Sequence, residues 1–244
     1  MDQLMAFCRP GFETEAGREL VDAAMAEGIF GYFEPGKDQG LVRFILTGHE
    51  SAPDLLARVR LDDLVFVRDW FVVLATLDLP IRDRVGAVIE ALRGEGLALP
   101  EACRVEVRVL ENNTDRDLGN FARKWVAPLS RALRGAGLLK ADPDAGAEAR
   151  LDILLPNFST AIVGLSLAGN RARWLGGAPR LRLPAAAPSR SALKLEEAWK
   201  VFLPAGRELD YLGGGKKAVD LGAAPGGWTW QLVRQGMRVV AVDN

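Results

Sequence analysis

The stretch Asp220-Leu221-Gly222-Ala223-Ala224-Pro225-Gly226-Gly227-Trp228 decides the fold of the C-terminal part of this chain. Residues 217–221 precede the glycines with the pattern of a strand, and residues 228–235 follow them with the spacing of a helix. A second apolar run covers residues 237–243. This order predicts a strand, a tight turn, a helix and a parallel second strand, which is the βαβ unit of an α/β sheet.

A glycine-rich turn between a strand and a helix is suited to a nucleotide-like ligand. Glycine has no Cβ that blocks close approach, and the first N–H groups of the helix present a partial positive charge. Asp243 lies 23 residues after Asp220, where a carboxylate can accept both ribose hydroxyls of an adenosine group. The spacing is neither Gly-x-Gly-x-x-Gly nor a P-loop. The acidic Asp220 disfavours a phosphate and favours a cationic or amino-bearing ligand.

These residues resemble the first motif of the class I S-adenosylmethionine methyltransferases. The form Asp-Leu-Gly-x-x-Pro-Gly-Gly-Trp is similar to the heat-shock ribosomal RNA branch, which methylates ribose 2′-hydroxyls. The resemblance implies a Rossmann-like domain and S-adenosylmethionine as the cofactor, and we expect no metal site. It also implies that six residues bind the cofactor: Ser191, Ala224, Pro225, Gly226, Gly227 and Asp243.

A second motif, Ser189-Arg190-Ser191-Ala192-Leu193-Lys194-Leu195, supports the same resemblance. Lys194 lies 26 residues before Asp220. In the heat-shock branch a Ser-Arg-x-x-x-Lys-Leu element supplies the first lysine of a Lys-Asp-Lys-Glu tetrad, so the resemblance implies a catalytic role for Lys194. Ser191 would touch the methionine end of the cofactor. Without the glycine motif, Lys194 would be interpreted as an ordinary exposed helix lysine.

The resemblance extends over essentially the whole chain, to methyltransferases that modify a cytidine 2′-oxygen in 23S rRNA. The matching stretches outside the two motifs are residues 8–13, 70–73, 104–107, 177–181 and 243–244. The implied regions are an N-terminal α+β domain (1–78), a THUMP-like RNA-binding domain (79–168), a linker (169–188) and the start of a Rossmann-like methyltransferase domain (189–244). In this family the last domain continues beyond the second strand and supplies the rest of the tetrad. We therefore expect this chain alone to bind the cofactor weakly and to be inactive.

Hydrophobic periodicity in the first two regions predicts α+β structure before the α/β unit. The predicted strands cover residues 4–8, 40–46, 64–77, 104–110, 151–155 and 161–167, and the predicted helices cover 13–27, 52–59, 80–93 and 113–134. Pro128 lies inside the last helix and predicts a kink or a break. The order of elements in the middle region predicts a small ferredoxin-like sheet with helices on one face.

The predicted linker combines glycines and prolines with several arginines. The arginines are Arg171, Arg173, Arg180, Arg182 and, just beyond the linker, Arg190. Trp174 is the aromatic residue among them. Arginines with an aromatic neighbour suit RNA phosphates and a stacked base, and a plain connector is the equally weighted alternative. Residues 171–244 hold 12 Lys and Arg against 6 Asp and Glu, whereas residues 1–170 hold 19 against 26, which also favours a polyanionic partner for the C-terminal part.

Composition excludes several classes of protein. The chain of 244 residues is 49% hydrophobic and 26% charged, as in globular proteins. It has two cysteines and one histidine, His49, too few for a disulfide scaffold or a structural zinc site. We see no signal peptide and no long apolar run, so we expect no membrane span and a cytoplasmic location.

The predicted partner is 23S rRNA, as naked or early-assembly RNA more than as a mature ribosome, and the sequence does not indicate an oligomeric state. Two alternatives stay open. The chain could be a non-catalytic RNA-binding fragment. It could also belong to the THUMP-bearing enzymes that methylate a base nitrogen, which use an Asn/Asp-Pro-Pro-Tyr/Phe motif further along the chain.

Overall fold

The computed structural model describes residues 1–94, 99–100, 103–139, 149–204 and 206–244. The chain forms two compact units, Met1–Gly177 (unit 1) and Ala178–Asn244 (unit 2). Among the described helices, none is long and apolar enough to cross a membrane.

The described strands of unit 1 form a seven-stranded sheet. The strands are β1 (Gln3–Phe7), β2 (Gly31–Gly36), β3 (Leu41–Leu46), β4 (Asp69–Asp78), β5 (Cys103–Val109), β6 (Ala149–Asn157) and β7 (Thr160–Ser166). The helices are α1 (Glu13–Ala26), α2 (Ala52–Arg58), α3 (Arg84–Gly94) and α4 (Arg116–Gly135), with a short 3-10 helix at Leu61–Asp63. The strand order is β2-β3-β1-β4-β7-β6-β5, and neighbours are antiparallel except β5 and β6.

Strand β4 joins the two halves of this sheet. Val72 lies opposite Leu4 of β1 on one side and opposite Leu165 of β7 on the other. We expected residues 79–168 to form a small sheet of their own, whereas their three strands extend the sheet of the first segment. The first four residues of β4 are all buried, and a strand buried on both faces is stable when both edges are paired. The domain boundary at residue 78 stays a prediction.

Helix α4 follows directly from its sequence pattern. Asp115 caps it by accepting hydrogen bonds from the backbone N–H groups of Asp117 and Leu118. Its buried residues recur every three or four positions and pack on the sheet: Leu118, Ala122, Trp125, Leu129 and Leu133. Of the predicted kink or break at Pro128, the break was wrong, because the helix is continuous from Arg116 to Gly135, and the kink stays a prediction. Pro128 lies on the exposed side, where water can satisfy the carbonyl that loses its hydrogen bond.

The structure of unit 1 differs from the sequence-based expectation in two places. Strand β2 (Gly31–Gly36) is present although no strand was predicted there. The strand predicted over residues 64–77 begins only at Asp69, because the carboxylate of Glu19 accepts backbone hydrogen bonds from residues 65–67. Those N–H groups are satisfied by a helix side chain, so they do not join the sheet.

The first part of the predicted linker is held to unit 1 by Asn170. The side chain of Asn170 accepts from the N–H of Leu61 at 2.8 Å and donates to the carbonyls of Leu56 and Val59 at 2.6 and 2.8 Å. Its own carbonyl accepts from the indole N–H of Trp70 at 2.8 Å. A buried amide with all of these bonds fixes the backbone around it.

A group of four buried charges, the ion cluster, lies inside the sheet. Arg150 donates to the carboxylate of Asp69 at 2.8 Å and to that of Asp152 at 2.9 Å. Arg108 lies 2.9 Å from Asp69 and also pairs with Asp152. Ser166 donates to Asp152 at 2.6 Å. Burial disfavours the charge of Arg150, but Asp152 and Asp69 hold the pKa of Arg150 above its ordinary value.

Unit 2 contains the predicted βαβ unit. Its elements are α5 (Ser191–Phe202), α6 (Glu208–Tyr211), β8 (Lys217–Leu221), α7 (Gly227–Arg234) and β9 (Arg238–Val242). Strands β8 and β9 are parallel, with Lys217 opposite Arg238 and Leu221 opposite Val242. The fold class, an α+β region followed by an α/β unit, is confirmed. The short helix α6 was not predicted.

Candidate functional site

The turn between β8 and α7 is shaped by glycines in the left-handed region. Gly222 has a φ of +73° and Gly226, the residue before α7, has a φ of +90°. These conformations are unfavourable for residues that carry a Cβ. The N–H groups of Gly222 and Ala223 donate to the carbonyl of Val242, which ties the turn to the end of β9. Nothing lies within 4 Å of the position that a Cβ on Gly222 would occupy, so this side of the turn is open.

Gly227 allows the two sequence motifs to meet. A Cβ on this residue would lie 2.1 Å from Oγ of Ser191 and 2.6 Å from Oγ of Ser189. These distances are shorter than any tolerable contact, so only glycine fits without rearrangement. Gly227 is buried against the start of α5. The structure therefore brings Ser191 to the glycine turn, and its predicted contact with the cofactor stays a prediction.

Two side chains of α7 hold the start of α5 in place. The indole N–H of Trp228 donates to the carbonyl of Ser191 at 3.0 Å. The amide of Gln231, buried to 1% exposure, donates to the carbonyl of Ala192 at 3.2 Å and to the carboxylate of Glu196 at 3.0 Å. Gln231 was not predicted from the sequence as part of the site. A polar residue four positions after Gly227, on the same side of the helix, was the signal that could have identified it.

Asp243 closes the turn from the end of β9. Its carboxylate accepts hydrogen bonds from the N–H groups of Ala224 and Asn244. The bond from Ala224, followed by that from Asn244, holds the pKa of Asp243 below the ordinary value of an aspartate. The side chain is exposed, so an ionised carboxylate stands in solvent beside the turn.

From the sequence, Asp220 was expected to favour a cationic ligand at the turn, whereas the structure buries its side chain. It is only 5% exposed, and its carboxylate accepts a hydrogen bond from the hydroxyl of Thr229 at 2.6 Å. Thr229 lies in the first turn of α7 and was not singled out from the sequence. This hydrogen bond joins the end of β8 to the start of α7, so Asp220 stabilises the conformation of the turn.

Lys194 lies on α5, one turn after Ser191, and is exposed. Positions three apart lie on neighbouring parts of a helix surface. Within the part of the chain that the structure describes, the ammonium makes no hydrogen bond or ion pair. The structure therefore brings Ser191, Ala224, Gly226, Gly227 and Asp243 together, while Lys194 stands beside this group without touching it.

The residues at the turn fit an adenosine-bearing, positively charged ligand. An open glycine turn allows close approach, the exposed carboxylate of Asp243 offers oxygen acceptors, and the hydroxyl group of Ser191 lies next to the turn. The N–H groups at the start of α7 would favour an anion, whereas the carboxylate of Asp243 would favour a cation. The arrangement can hold a ligand in a defined orientation.

The two thiols of the chain are unsuited to covalent catalysis. Cys8 and Cys103 are buried free thiols. Burial raises the pKa of Cys8 to about 12 and that of Cys103 to about 11, so both are neutral at physiological pH. His49 is exposed in the loop after β3.

Three family models match this chain in consecutive segments. The RlmM ferredoxin-like domain matches residues 1–71, and the N-terminal region of ribosomal RNA large subunit methyltransferase M matches residues 83–167. The FtsJ-like methyltransferase model matches residues 187–244. The last segment contains both sequence motifs and the turn that they form.

Curated relatives match over the full chain. A protein named ribosomal RNA large subunit methyltransferase M from Marinobacter nauticus is 66% identical over 244 residues, which are 100% of this chain and 68% of that protein. The protein of the same name from Cellvibrio japonicus is 40% identical over 245 residues, again with 100% and 68% coverage. Among solved structures, TrmN from Thermus thermophilus aligns with a TM-score of 0.47 and 17% identity, covering 100% of this chain and 65% of that one.

Proposed function

The chain belongs to the ribosomal RNA large subunit methyltransferase M family, and from this membership we propose that it serves the 2′-O-methylation of a cytidine in 23S rRNA. Its relatives are named as methyltransferases of large-subunit rRNA. The choice of a ribose oxygen and of a cytidine is our proposal. The chain spans about two thirds of the length of these relatives.

The observation that carries the proposal is the contact between Gly227 and Ser191. Two motifs that are separate in the sequence, each similar to the heat-shock branch, pack against each other because Gly227 lacks a Cβ. The carbonyl bond from Trp228 fixes the same contact. An unrelated glycine-rich turn would not require the Ser-Arg-x-x-x-Lys segment to pack against it.

The cofactor of this methyltransferase site is S-adenosylmethionine. When bound, it supplies an electrophilic methyl group on a sulfonium. Asp243 would accept hydrogen bonds from ribose hydroxyls, and residues 224–227 would form the floor of the site. Ser191 would face the methionine end. The positive charge of the cofactor suits a turn whose exposed ionised side chain is the carboxylate of Asp243.

Lys194 is proposed to act on the ribose 2′-hydroxyl. An alcohol is a poor nucleophile because it holds its proton tightly near neutral pH. An ammonium one turn along α5 from Ser191 can hydrogen-bond to the acceptor oxygen and orient it toward the methyl group. In this family a second lysine completes the tetrad, so Lys194 orients the oxygen or lowers the pKa of that second amine.

We propose naked or early-assembly 23S rRNA in the cytoplasm as the substrate. A ribose hydroxyl can reach the turn only if its nucleotide is accessible, and single-stranded or unpacked RNA offers such nucleotides. The two free cysteines suit a reducing compartment.

A methylation assay tests the proposal. The protein for this assay, the family-length protein, consists of residues 1–244 followed by the remaining third of the Marinobacter nauticus relative. It is incubated with labelled S-adenosylmethionine and naked 23S rRNA, and the product is hydrolysed in alkali. A 2′-O-methyl group blocks the internal attack on the phosphate, so the proposal expects label at one alkali-resistant linkage after a cytidine.

The two alternatives give different results in the same assay. Label that stays on the base after complete hydrolysis to nucleosides would identify a base methyltransferase. RNA binding without transfer of label would favour a non-catalytic RNA-binding protein. Residues 1–244 alone are expected to transfer no label.

A further inference from the structure

Helix α4 carries an exposed row of cations in an otherwise acidic part of the chain. The row, called the basic ridge, consists of Arg116, Arg123, Lys124 and Arg131. Arg134 continues it at the end of the helix. Asp117 is the one acidic residue in Arg116–Gly135. Residues 1–170 together hold 19 Lys and Arg against 26 Asp and Glu, so this helix departs from the charge of its surroundings.

The basic ridge lies opposite the buried side of the helix. At roughly 100° per residue, the ridge and Arg134 fall within an arc of about 100°, and the five core residues are centred on the far side. All four ridge residues are exposed. From Arg116 to Arg131 the ridge is about 22 Å long, at 1.5 Å per residue. A row of fixed positive charges of this length spans several phosphates of one RNA strand.

The charge is unevenly distributed between the helices of unit 1. Helix α1 carries Glu13, Glu15, Glu19 and Asp22 against one cation, Arg18. A helix that needed charge only for solubility could carry either sign or both. On α1 only Glu15 and Asp22 are exposed carboxylates, so the concentration of exposed charge on α4 sets this helix apart as a surface suited to a polyanion.

We propose that the basic ridge of α4 binds the phosphate backbone of the RNA substrate, outside the methyl-transfer site. The proposal rests on the RNA substrate proposed above. The apolar side of α4 is fully used in the core, so the helix has no apolar face to insert into a bilayer. None of the large exposed hydrophobic side chains of the described residues lies on α4, which disfavours a protein partner with an apolar core contact.

The ridge contributes affinity without reading sequence. The aromatic residues of α4, Phe121 and Trp125, stack on each other with ring centroids 5.1 Å apart, and Trp125 is buried. They lie on the sides of the helix away from the ridge. Arginine and lysine contacts to phosphates position an RNA, whereas base contacts specify it. We therefore expect the ridge to bind any RNA strand with similar strength.

The test compares two variants with equal loss of charge. The ridge variant changes Arg116, Arg123, Lys124 and Arg131 to Ala, and the control variant changes four exposed arginines elsewhere in unit 1: Arg18, Arg60, Arg82 and Arg104. Affinity of residues 1–244 is measured from 50 to 300 mM salt, for a fragment of naked 23S rRNA and for an unrelated RNA of equal length. Alanine favours a helix, so the ridge variant should fold normally, and its thermal unfolding checks this.

The ridge variant is expected to bind both RNAs at least tenfold more weakly, with a salt slope smaller by about three to four units, since each lost phosphate contact removes roughly one. The control variant should keep the wild-type slope within about one unit. Equal slopes for wild type and ridge variant, while wild type binds RNA, would overturn the ridge and leave the methyltransferase proposal intact. An equal loss in the control would also overturn it. Wild-type protein that binds neither RNA would overturn the ridge and count against the RNA substrate itself, which the methylation assay then decides separately.

Discussion

In unit 1 the carboxylates of Asp69 and Asp152 lie with the guanidinium groups of Arg108 and Arg150 inside the sheet, while in unit 2 Asp243 and Lys194 stand in solvent beside the glycine turn. Asp69 and Asp152 are fully buried and bonded to both arginines. Within the described residues, Asp243 accepts backbone hydrogen bonds alone, from Ala224 of the turn and from its neighbour Asn244. Acidic and basic side chains are thus buried and paired with each other in one unit and exposed in the other.

The difference separates structural charges from functional ones. A buried carboxylate that is paired with arginines of the same chain is shielded from ligands in solvent, and its removal leaves a buried guanidinium short of a partner charge. An exposed charge at an ordered turn contributes little to folding and remains able to bind. The comparison therefore predicts that removing a charge of the ion cluster reduces stability and that removing an exposed charge beside the glycine turn reduces activity or cofactor binding.

The largest effect should come from Asp69→Ala. This change removes a carboxylate that contacts both Arg108 and Arg150 and accepts from the N–H groups of Ala172 and Gly176 at 3.3 Å. Two buried guanidinium groups would then share one carboxylate, and breaking such a buried pair typically costs about 3–5 kcal/mol. Urea unfolding of residues 1–244 measures the change in the free energy of unfolding.

The matched control for the buried aspartate is Asp62→Ala. The carboxylate of Asp62 is 88% exposed and lies 3.7 Å from Arg60. Exposed pairs contribute little, so the unfolding midpoint should stay near that of wild type. An equal loss of stability in both variants would show that burial and pairing in the ion cluster do not make Asp69 more important for folding than an exposed aspartate.

The second prediction concerns Lys194→Ala in the family-length protein. If this lysine orients the 2′-hydroxyl, turnover should fall by about a hundredfold or more, or roughly 3 kcal/mol of transition-state stabilisation. Lys194→Arg should also fail, because a planar guanidinium cannot replace a compact ammonium. A single-turnover assay with labelled cofactor and 23S rRNA measures the rate.

Stability and cofactor affinity distinguish catalysis from folding in that experiment. Lys194 is exposed, so the melting temperature should not change, and the affinity for S-adenosylmethionine should change little because the ammonium faces the acceptor. Lys217→Ala, an exposed lysine at the start of β8, is the control and should keep full turnover. Near wild-type turnover in Lys194→Ala would remove its catalytic role while leaving the glycine turn as the cofactor site.

The third prediction concerns Asp243→Asn. Loss of the charge should weaken S-adenosylmethionine binding by about tenfold, because charge-assisted hydrogen bonds to the ribose hydroxyls become neutral ones. The pKa of Asp243 is lowered by the N–H of Ala224, so the carboxylate stays ionised as the pH falls to about 5. Wild-type affinity should therefore be constant from about pH 5 to 8, and be lost only as the pH falls through that lowered pKa.

Calorimetry on the family-length protein measures this affinity. Asp210→Asn serves as the control, since its carboxylate is exposed in unit 2 and pairs with Arg207 at 2.7 Å. Affinity in Asp243→Asn equal to that of wild type would exclude the carboxylate from the cofactor site. A drop in both variants would indicate a general charge effect.

Much of the fold could be predicted from the sequence because local patterns carried it. Alternation in β3 and β5, the capped amphipathic α4 and the glycine turn of unit 2 all appear at the predicted places. The pairing of β4 with β7 could not be predicted, since residues 69–78 and 160–166 are far apart in the sequence and no local pattern joins them. Strand β2 was missed because Gly31, Pro35 and Gly36 hide its alternation.

The candidate site was predictable only where a motif fixed the geometry. The motifs located Ser191, Gly227 and Asp243, and the structure places these residues around one turn. The supporting bonds of Thr229 and Gln231 depend on packing between α5, β8 and α7, which the sequence does not show. The cofactor contacts and the role of Lys194 stay predictions.

The smallest predicted effect separates two arginines within one segment. Arg171 is half-buried, and burial together with the nearby Arg150 lowers its pKa, so it belongs with the buried charges of unit 1. Arg173 is exposed, with its guanidinium 4.8 Å from the centre of the Trp174 ring. An exposed cation over an aromatic ring suits a phosphate and a stacked base, whereas a half-buried one beside another cation does not.

Single changes to Ala test this distinction through the salt dependence of RNA binding. Arg173→Ala should reduce the slope by about one unit, as should changes at the exposed Arg180 and Arg182, because each phosphate contact releases about one counterion. Arg171→Ala should leave the slope unchanged and instead lower the unfolding midpoint, since it removes a packed side chain. If Arg171→Ala alone flattened the slope, burial would not distinguish binding charges from structural ones in this chain. If none of the four changes altered it, residues 169–188 would be a plain connector, and RNA affinity would have to come from α4 and the methyl-transfer site.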